Sequence, residues 1–189
     1  MRTWDDNEFP LAFLITFRTY GTWLHGDERS SVDRFMNRYQ GPRIPERTAR
    51  ENYNKSIMKK SPVVLNVDQR RVVEDTIREA CVCRNWGLFA SNVRTNHVHA
   101  VISGGEGTPG KVTNAAKAYS TRRLREAGLW TCDTSPWVDK GSERWLWDEE
   151  SVQRACDYVI YCQGPEVTDF DSWKNKKNPP ADTGGSACV

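Results

Sequence analysis

Long apolar runs are missing from this sequence, and none approaches the length needed to cross a bilayer. The opening residues, Met1-Arg2-Thr3-Trp4-Asp5-Asp6, carry acids where a secretory signal would need an apolar stretch, so a cytoplasmic location is the expectation. Paired Cys-x-x-Cys spacing is also missing. Cys81, Cys83, Cys132, Cys156, Cys162 and Cys188 are scattered, which argues against a zinc finger. In a reducing compartment they are expected as free thiols packed like small hydrophobes. Charge of one sign is not in excess: 27 basic against 25 acidic residues leave a net +2, so any affinity for nucleic acid must come from local patches. Histidine is scarce, at three residues.

Two of those three histidines stand one residue apart, in Asn96-His97-Val98-His99-Ala100-Val101-Ile102. On a strand, residues i and i+2 project from the same face, so both imidazoles would reach one ion, as a divalent-metal site requires. The competing reading is a pair of half-buried histidines that alternate with valine. Eight tryptophans are many for 189 residues; they supply either core or flat platforms for bases.

The length suits one domain with a real core, or one domain plus tails. Leu11–Tyr20 reads as a strand ended by Gly21. Residues 22–62, polar and rich in arginine, lysine and proline, read as a long irregular insertion with at most short helical turns. Val67–Cys81 is an amphipathic helix that Asn66 or Asp68 can cap. Leu88–Val93 and His97–Ser103 read as strands joined by a polar turn. A basic helix from Lys111 to Ala127 stops at Gly128. Arg144–Trp147 reads as a short last strand, and Asp148 caps a final helix from Glu149 to about Gln163. Residues 1–165 then form the folded unit, with 166–189 a flexible tail. This order predicts an α+β, ferredoxin-like core: a central antiparallel sheet with helices on one face, plus a C-terminal helix carrying tyrosines. The histidine strand should be central.

Asn96-His97-Val98-His99, the basic helix around Lys117-Ala118-Tyr119-Ser120-Thr121-Arg122-Arg123-Leu124, and Trp147 followed by Asp157-Tyr158-Val159-Ile160 together resemble the HUH endonuclease superfamily. Within it the chain is most similar to single-tyrosine transposases of the REP-associated type. The likeness covers roughly residues 10–20 and 65–165. It implies metal-dependent cleavage and strand transfer of single-stranded DNA through a 5′-phosphotyrosine, with recognition of hairpins at repeat ends. It further implies a Mg²⁺ or Mn²⁺ cofactor, action as a homodimer, and no membrane partner. Tyr158 matches the nucleophile's position; Tyr161, one turn further, is its rival, and Tyr119 spaces with Val112 and Ala115 or Ala116 as a packing residue. The metal ligands implied are His97, His99 and a Gln or Asn one turn after the tyrosine. That position here holds Cys162, a soft ligand, whereas Gln163 falls about 140° around an ideal helix from Tyr158. Gln163 is taken as the ligand.

Lys111, Lys117, Arg122, Arg123 and Arg125 are the expected DNA contacts, since a helix rich in cations follows a phosphate backbone. Arg29, Arg34, Arg38, Arg43, Arg47 and Arg50 of the insertion would add others. Two alternatives stand beside this reading. One is a domesticated, non-catalytic protein that binds repeat hairpins. The other is a zinc hydrolase pairing the histidines with Asp148, Glu149 or Glu150.

Overall fold

Strict alternation along Ala12–Thr19 (β1) turns Phe13, Ile15 and Phe17 to one side and Ala12, Leu14 and Thr16 to the other, which suits a strand covered on both faces. The structure, a computed structural model, describes residues 9–24, 31–32, 43–44, 46–103 and 107–163. Its remaining elements are β2 (Ser31–Val32), β3 (Arg43–Ile44), α1 (Thr48–Ser56), α2 (Val67–Cys83), β4 (Gly87–Val93), β5 (His97–Ser103), α3 (Pro109–Glu126), β6 (Trp137–Leu146) and α4 (Glu149–Tyr161). The main sheet runs β4-β5-β1-β6 with antiparallel pairing throughout, so the fold is α+β and ferredoxin-like, with β5 and β1 inside.

Each face of the sheet has its own core. Helices α2 and α3 cover Phe13, Ile15, Phe17, Val98, Ala100 and Ile102 with Val73, Ile77, Val112, Ala116 and Leu124. Helix α4 lies on the opposite face, where Ala155 and Val159 close over Ala12, Ala90, Val101 and Leu146. The period-two rule therefore sends Val98 and Ala100 toward α2 and α3, and the histidines toward α4.

The helix starts follow local chemistry. Asn66 and Gln69 form a reciprocal capping box on α2, Thr108 accepts from the Lys111 amide on α3, and Asp148 accepts from the Ser151 amide on α4. Gly128 takes φ +70° just past α3.

Three expectations need correction. The last strand is ten residues long and begins at Trp137, and Trp147 lies beyond it. Its central residues are exposed on both faces at the sheet edge, so they carry no apolar alternation to read. The insertion holds α1, a nine-residue helix with no buried residue and hence no apolar stripe, besides the β2–β3 ladder. Of the described cysteines, none in a disulfide, only Cys81 is buried; Cys83, Cys132 and Cys162 are exposed. Burial pushes the Cys81 thiol up to about 11, which leaves it inert near neutral pH. Cys188, the tail, and the side chains of Arg29, Arg34, Arg38 and Arg43 lie outside the described residues.

Candidate active site

The β4–β5 turn fixes where the histidine strand begins. The Asn96 carbonyl accepts from the Thr19 amide at 2.9 Å and from Thr19 Oγ1 at 3.1 Å, while the Arg94 amide donates to the His97 carbonyl at 2.8 Å. From that anchored point His97 and His99 rise on the α4 face, with ring centroids 4.7 Å apart and planes at 78°.

Each ring is held through Nδ1. His97 Nδ1 donates to Asn96 Oδ1 at 2.6 Å, and His99 Nδ1 shares a 2.6 Å hydrogen bond with Thr16 Oγ1 on the neighbouring strand. Thr16 and His99 are Cα partners, so strand register alone delivers that hydroxyl. Donation from His97 Nδ1 leaves that ring's lone pair on Nε2, the arrangement metal-binding histidines use, and His99 matches it when its Nδ1 donates to the Thr16 hydroxyl. Burial of the His99 ring, helped by the charges of His97 and Arg94, lowers its pKa to about 3. The ring is thus neutral near pH 7 and carries a lone pair for a cation.

Helix α4 brings the tyrosine. The Tyr158 ring meets His99 edge-on at 5.4 Å between centroids and 78° between planes, and it is 38% exposed, which leaves it open to a macromolecular substrate. Among the described residues no ring contact or hydrogen bond joins Tyr161 to the histidines. Tyr119 lies on the opposite face of the sheet, between the guanidinium groups of Arg84 and Arg122, rather than packed in the core.

The end of α4 answers the geometric objection to Gln163. Regular helix stops at Tyr161, Cys162 takes φ −98° and ψ 23°, and beyond it an ideal helical wheel no longer applies. Gln163 folds back so that Nε2 donates to the Tyr158 carbonyl at 2.9 Å. That bond fixes the amide's orientation, because only nitrogen can donate to a carbonyl. Oε1 then faces His97 Nε2 at 3.4 Å. With His97 Nδ1 carrying the proton, these are two acceptors turned toward each other, an arrangement that a cation would stabilise. Two imidazole nitrogens and an amide oxygen suit a divalent first-row ion, Mn²⁺ better than Mg²⁺. Among the described residues no group of three or more His, Cys, Asp or Glu is arranged to hold a metal. Asp148, Glu149 and Glu150 stand at the far end of α4, so the zinc hydrolase reading lacks its carboxylate.

Two polar residues of this region were not singled out from the sequence: Thr16, and Asn92 on β4. Asn92 is the Cα partner of His99 from the other side, and its Nδ2 donates to the Val159 carbonyl at 2.9 Å. The available signal is a polar residue at a strand position where alternation calls for an apolar one.

The basic residues of α3 lie across the sheet from this site. Lys117 is turned inward, its Nζ donating to the Val138 and Asp139 carbonyls at 3.0 and 2.9 Å. Burial lowers its pKa, against the pull of Asp139 and Glu143. Arg123 pairs with Glu79 and Glu126, and Arg125 donates to the Cys132 and Asp133 carbonyls. Arg122 meets Glu126 at 3.5 Å and stacks on Tyr119, while Lys111 is exposed at the start of the helix. Lys117, Arg122 and Arg125 share a shallow groove with Ser135 that no carboxylate lines.

No family model and no curated protein matches the chain. Among solved structures it is similar to a REP-associated tyrosine transposase bound to a REP hairpin, with 12% identity and a TM-score of 0.45 over 85% of this chain and 71% of that one. It is also similar to a candidate transposase from Deinococcus radiodurans R1, with 14% identity and a TM-score of 0.45 over 84% of this chain and 95% of that one.

Proposed function

We propose that the protein is a metal-dependent, single-strand DNA endonuclease and strand transferase of the HUH tyrosine type, acting on DNA with hairpin ends. The observation that carries the reading is the convergence of Tyr158, His97, His99 and Gln163 on one face of the sheet. The Tyr158 hydroxyl oxygen attacks the scissile phosphorus, its bond to phosphorus forms, and the bond from phosphorus to the 3′ oxygen breaks. The products are a 5′-phosphotyrosine and a free 3′-OH, which on reversal rejoins a strand without ATP. A divalent cation held by His97, His99 and Gln163 would supply Lewis-acid polarisation of the scissile phosphate. Asn96 holds His97 in the tautomer that presents Nε2, Thr16 holds the His99 ring in place through Nδ1, and Gln163 ties its own side chain to the backbone of the nucleophile.

Residues 1–165 are taken as the catalytic unit, with a homodimer as the working form. Lys111 and Arg122 are the DNA contacts of choice on α3, Arg122 lining a groove with Ser135; Lys117 and Arg125, already bound to backbone carbonyls, and Arg123, held by two carboxylates, contribute less. No described helix is long and apolar enough to cross a membrane.

The test is incubation of the protein and of Tyr158→Phe with single-stranded hairpin DNA and Mn²⁺ or Mg²⁺, followed by denaturing electrophoresis. A covalent adduct is expected with the parent chain, and none with the variant. An undiminished adduct in the variant moves the nucleophile to Tyr161. Hairpin binding by the parent chain with no adduct under either metal rejects catalysis in favour of the non-catalytic binding protein.

A further inference from the structure

The last turn of α4 leaves backbone carbonyls without helical partners, as every helix end does. The Val159 carbonyl is one of them, whereas the preceding one, of Tyr158, keeps its helical partner. The Tyr158 carbonyl accepts from the Cys162 amide and from Gln163 Nε2. The Val159 carbonyl accepts from Asn92, a residue 67 positions earlier and on a different element. Asn92 therefore fastens the residue after the tyrosine to the strand that flanks His99.

The geometry of this fastening is specific. Asn92 and His99 are Cα partners on adjacent strands, so a single amide spans from the histidine's neighbour to the tyrosine's neighbour. Asn92 is only 8% exposed, and its Oδ1 is buried with no hydrogen-bond partner. An unpaired buried acceptor costs folding free energy, and a carbonyl one turn from a helix end can be satisfied by water instead. A polar strut with one orphan atom is thus a poor choice for stability alone. What it does supply is a fixed rotation and height for α4 over the sheet, and that setting brings the Tyr158 ring edge-on to His99.

We propose that Asn92 is a positioning residue: its Nδ2–Val159 carbonyl bond holds Tyr158 against His99. The contact it maintains is independent of the reaction, while its bearing on DNA cleavage rests on the reading given above.

The experiment uses the full chain, free of metal, with its tyrosines replaced by 3-fluorotyrosine, and compares the parent with Asn92→Asp and Asn92→Leu. Both variants approximate the shape of asparagine, and neither a carboxylate nor an isobutyl group can donate to the Val159 carbonyl. The fluorine resonance of position 158, identified by its loss in Tyr158→Phe, is expected to be displaced by the His99 ring in the parent. In both variants it should move to the position of an exposed tyrosine, with the resonance of position 161 and the helical circular dichroism unchanged. With Mn²⁺ then added, adduct formation on hairpin DNA should fall at least tenfold in the variants at saturating DNA, with the hairpin Kd unchanged. A 158 resonance that stays in place in both variants overturns the proposal. So does a shift accompanied by loss of helical signal, which would make Asn92 a support of the whole fold. An adduct rate equal to the parent's rejects the positioning role in cleavage while leaving the cleavage itself intact. A parent that forms no adduct rejects the cleavage reading and leaves the fluorine result to decide the role of Asn92.

Discussion

His99 couples the site to acidity. Its pKa is about 3 in the folded chain, against an ordinary value near 6.5, because burial and the neighbouring positive groups disfavour the imidazolium. The unfolded chain therefore binds the proton more readily than the folded one between those values. Stability contributed by neutral His99 is complete above pH 6.5 and is lost as pH falls toward 3. Each pH unit in that window costs about 1.4 kcal/mol, or about 2 kcal/mol at pH 5. Urea unfolding of the metal-free protein at pH 7.5, 6 and 5 should show the decline, and His99→Gln should flatten it. Gln163 and Thr16 illustrate how differently two polar residues of one site reveal themselves. Gln163 lies five residues beyond the tyrosine, so its candidacy follows from local spacing, although an ideal helix turns it away. The loosened turn at Cys162 brings it round. Thr16 sits 83 positions from His99 and meets it through strand register alone, a relation with no local signature.

Among the elements, β6 was the least legible and β5 the most. β5 is a short apolar run buried on both faces and marked by two histidines at i and i+2, a spacing that puts both imidazoles on one face. Helices α2 and α4 announced themselves through their caps, and α3 through its cations and the stop at Gly128, although its cap Thr108 and first two residues read as loop. α1 and most of β6 bury almost nothing, and without burial there is no periodicity for a sequence to display. β6 nevertheless bears on the site. A Cβ on Gly141 would lie 2.4 Å from the Thr16 carbonyl oxygen and 3.5 Å from Phe17 Cβ, so only glycine lets β6 approach β1 at this level. Thr16 is also the residue that holds His99. Gly141→Ala is expected to cost about 1–3 kcal/mol of stability, as overpacking against an unyielding backbone does. Denaturant unfolding with an unchanged m-value checks it, and a variant as stable as the parent would show that the two strands separate freely.

The whole molecule is one sheet carrying two unequal loads. The α2–α3 face holds the larger buried cluster, while α4 contributes only Ala155 and Val159 as fully buried side chains, supported by Val152, Cys156 and Ile160. The elements that would bind DNA on α3 and the tyrosine on α4 stand on opposite faces. A strand that reaches both must pass an edge of the sheet. The disparity of the two clusters orders the molecule in time. Amide protons of α4, from Cys156 to Ile160, should exchange with deuterated solvent through an opening that leaves Ile77–Cys81 of α2 protected, and mass spectrometry of peptic fragments reads this directly. Equal protection across the two helices would mean that they unfold as one unit. The two histidines belong to β5, an inner strand shared by both layers, whereas Tyr158 belongs only to the thinner one. His97 and His99 thus stand on the strand expected to exchange slowly, and Tyr158 on a helix expected to open before it.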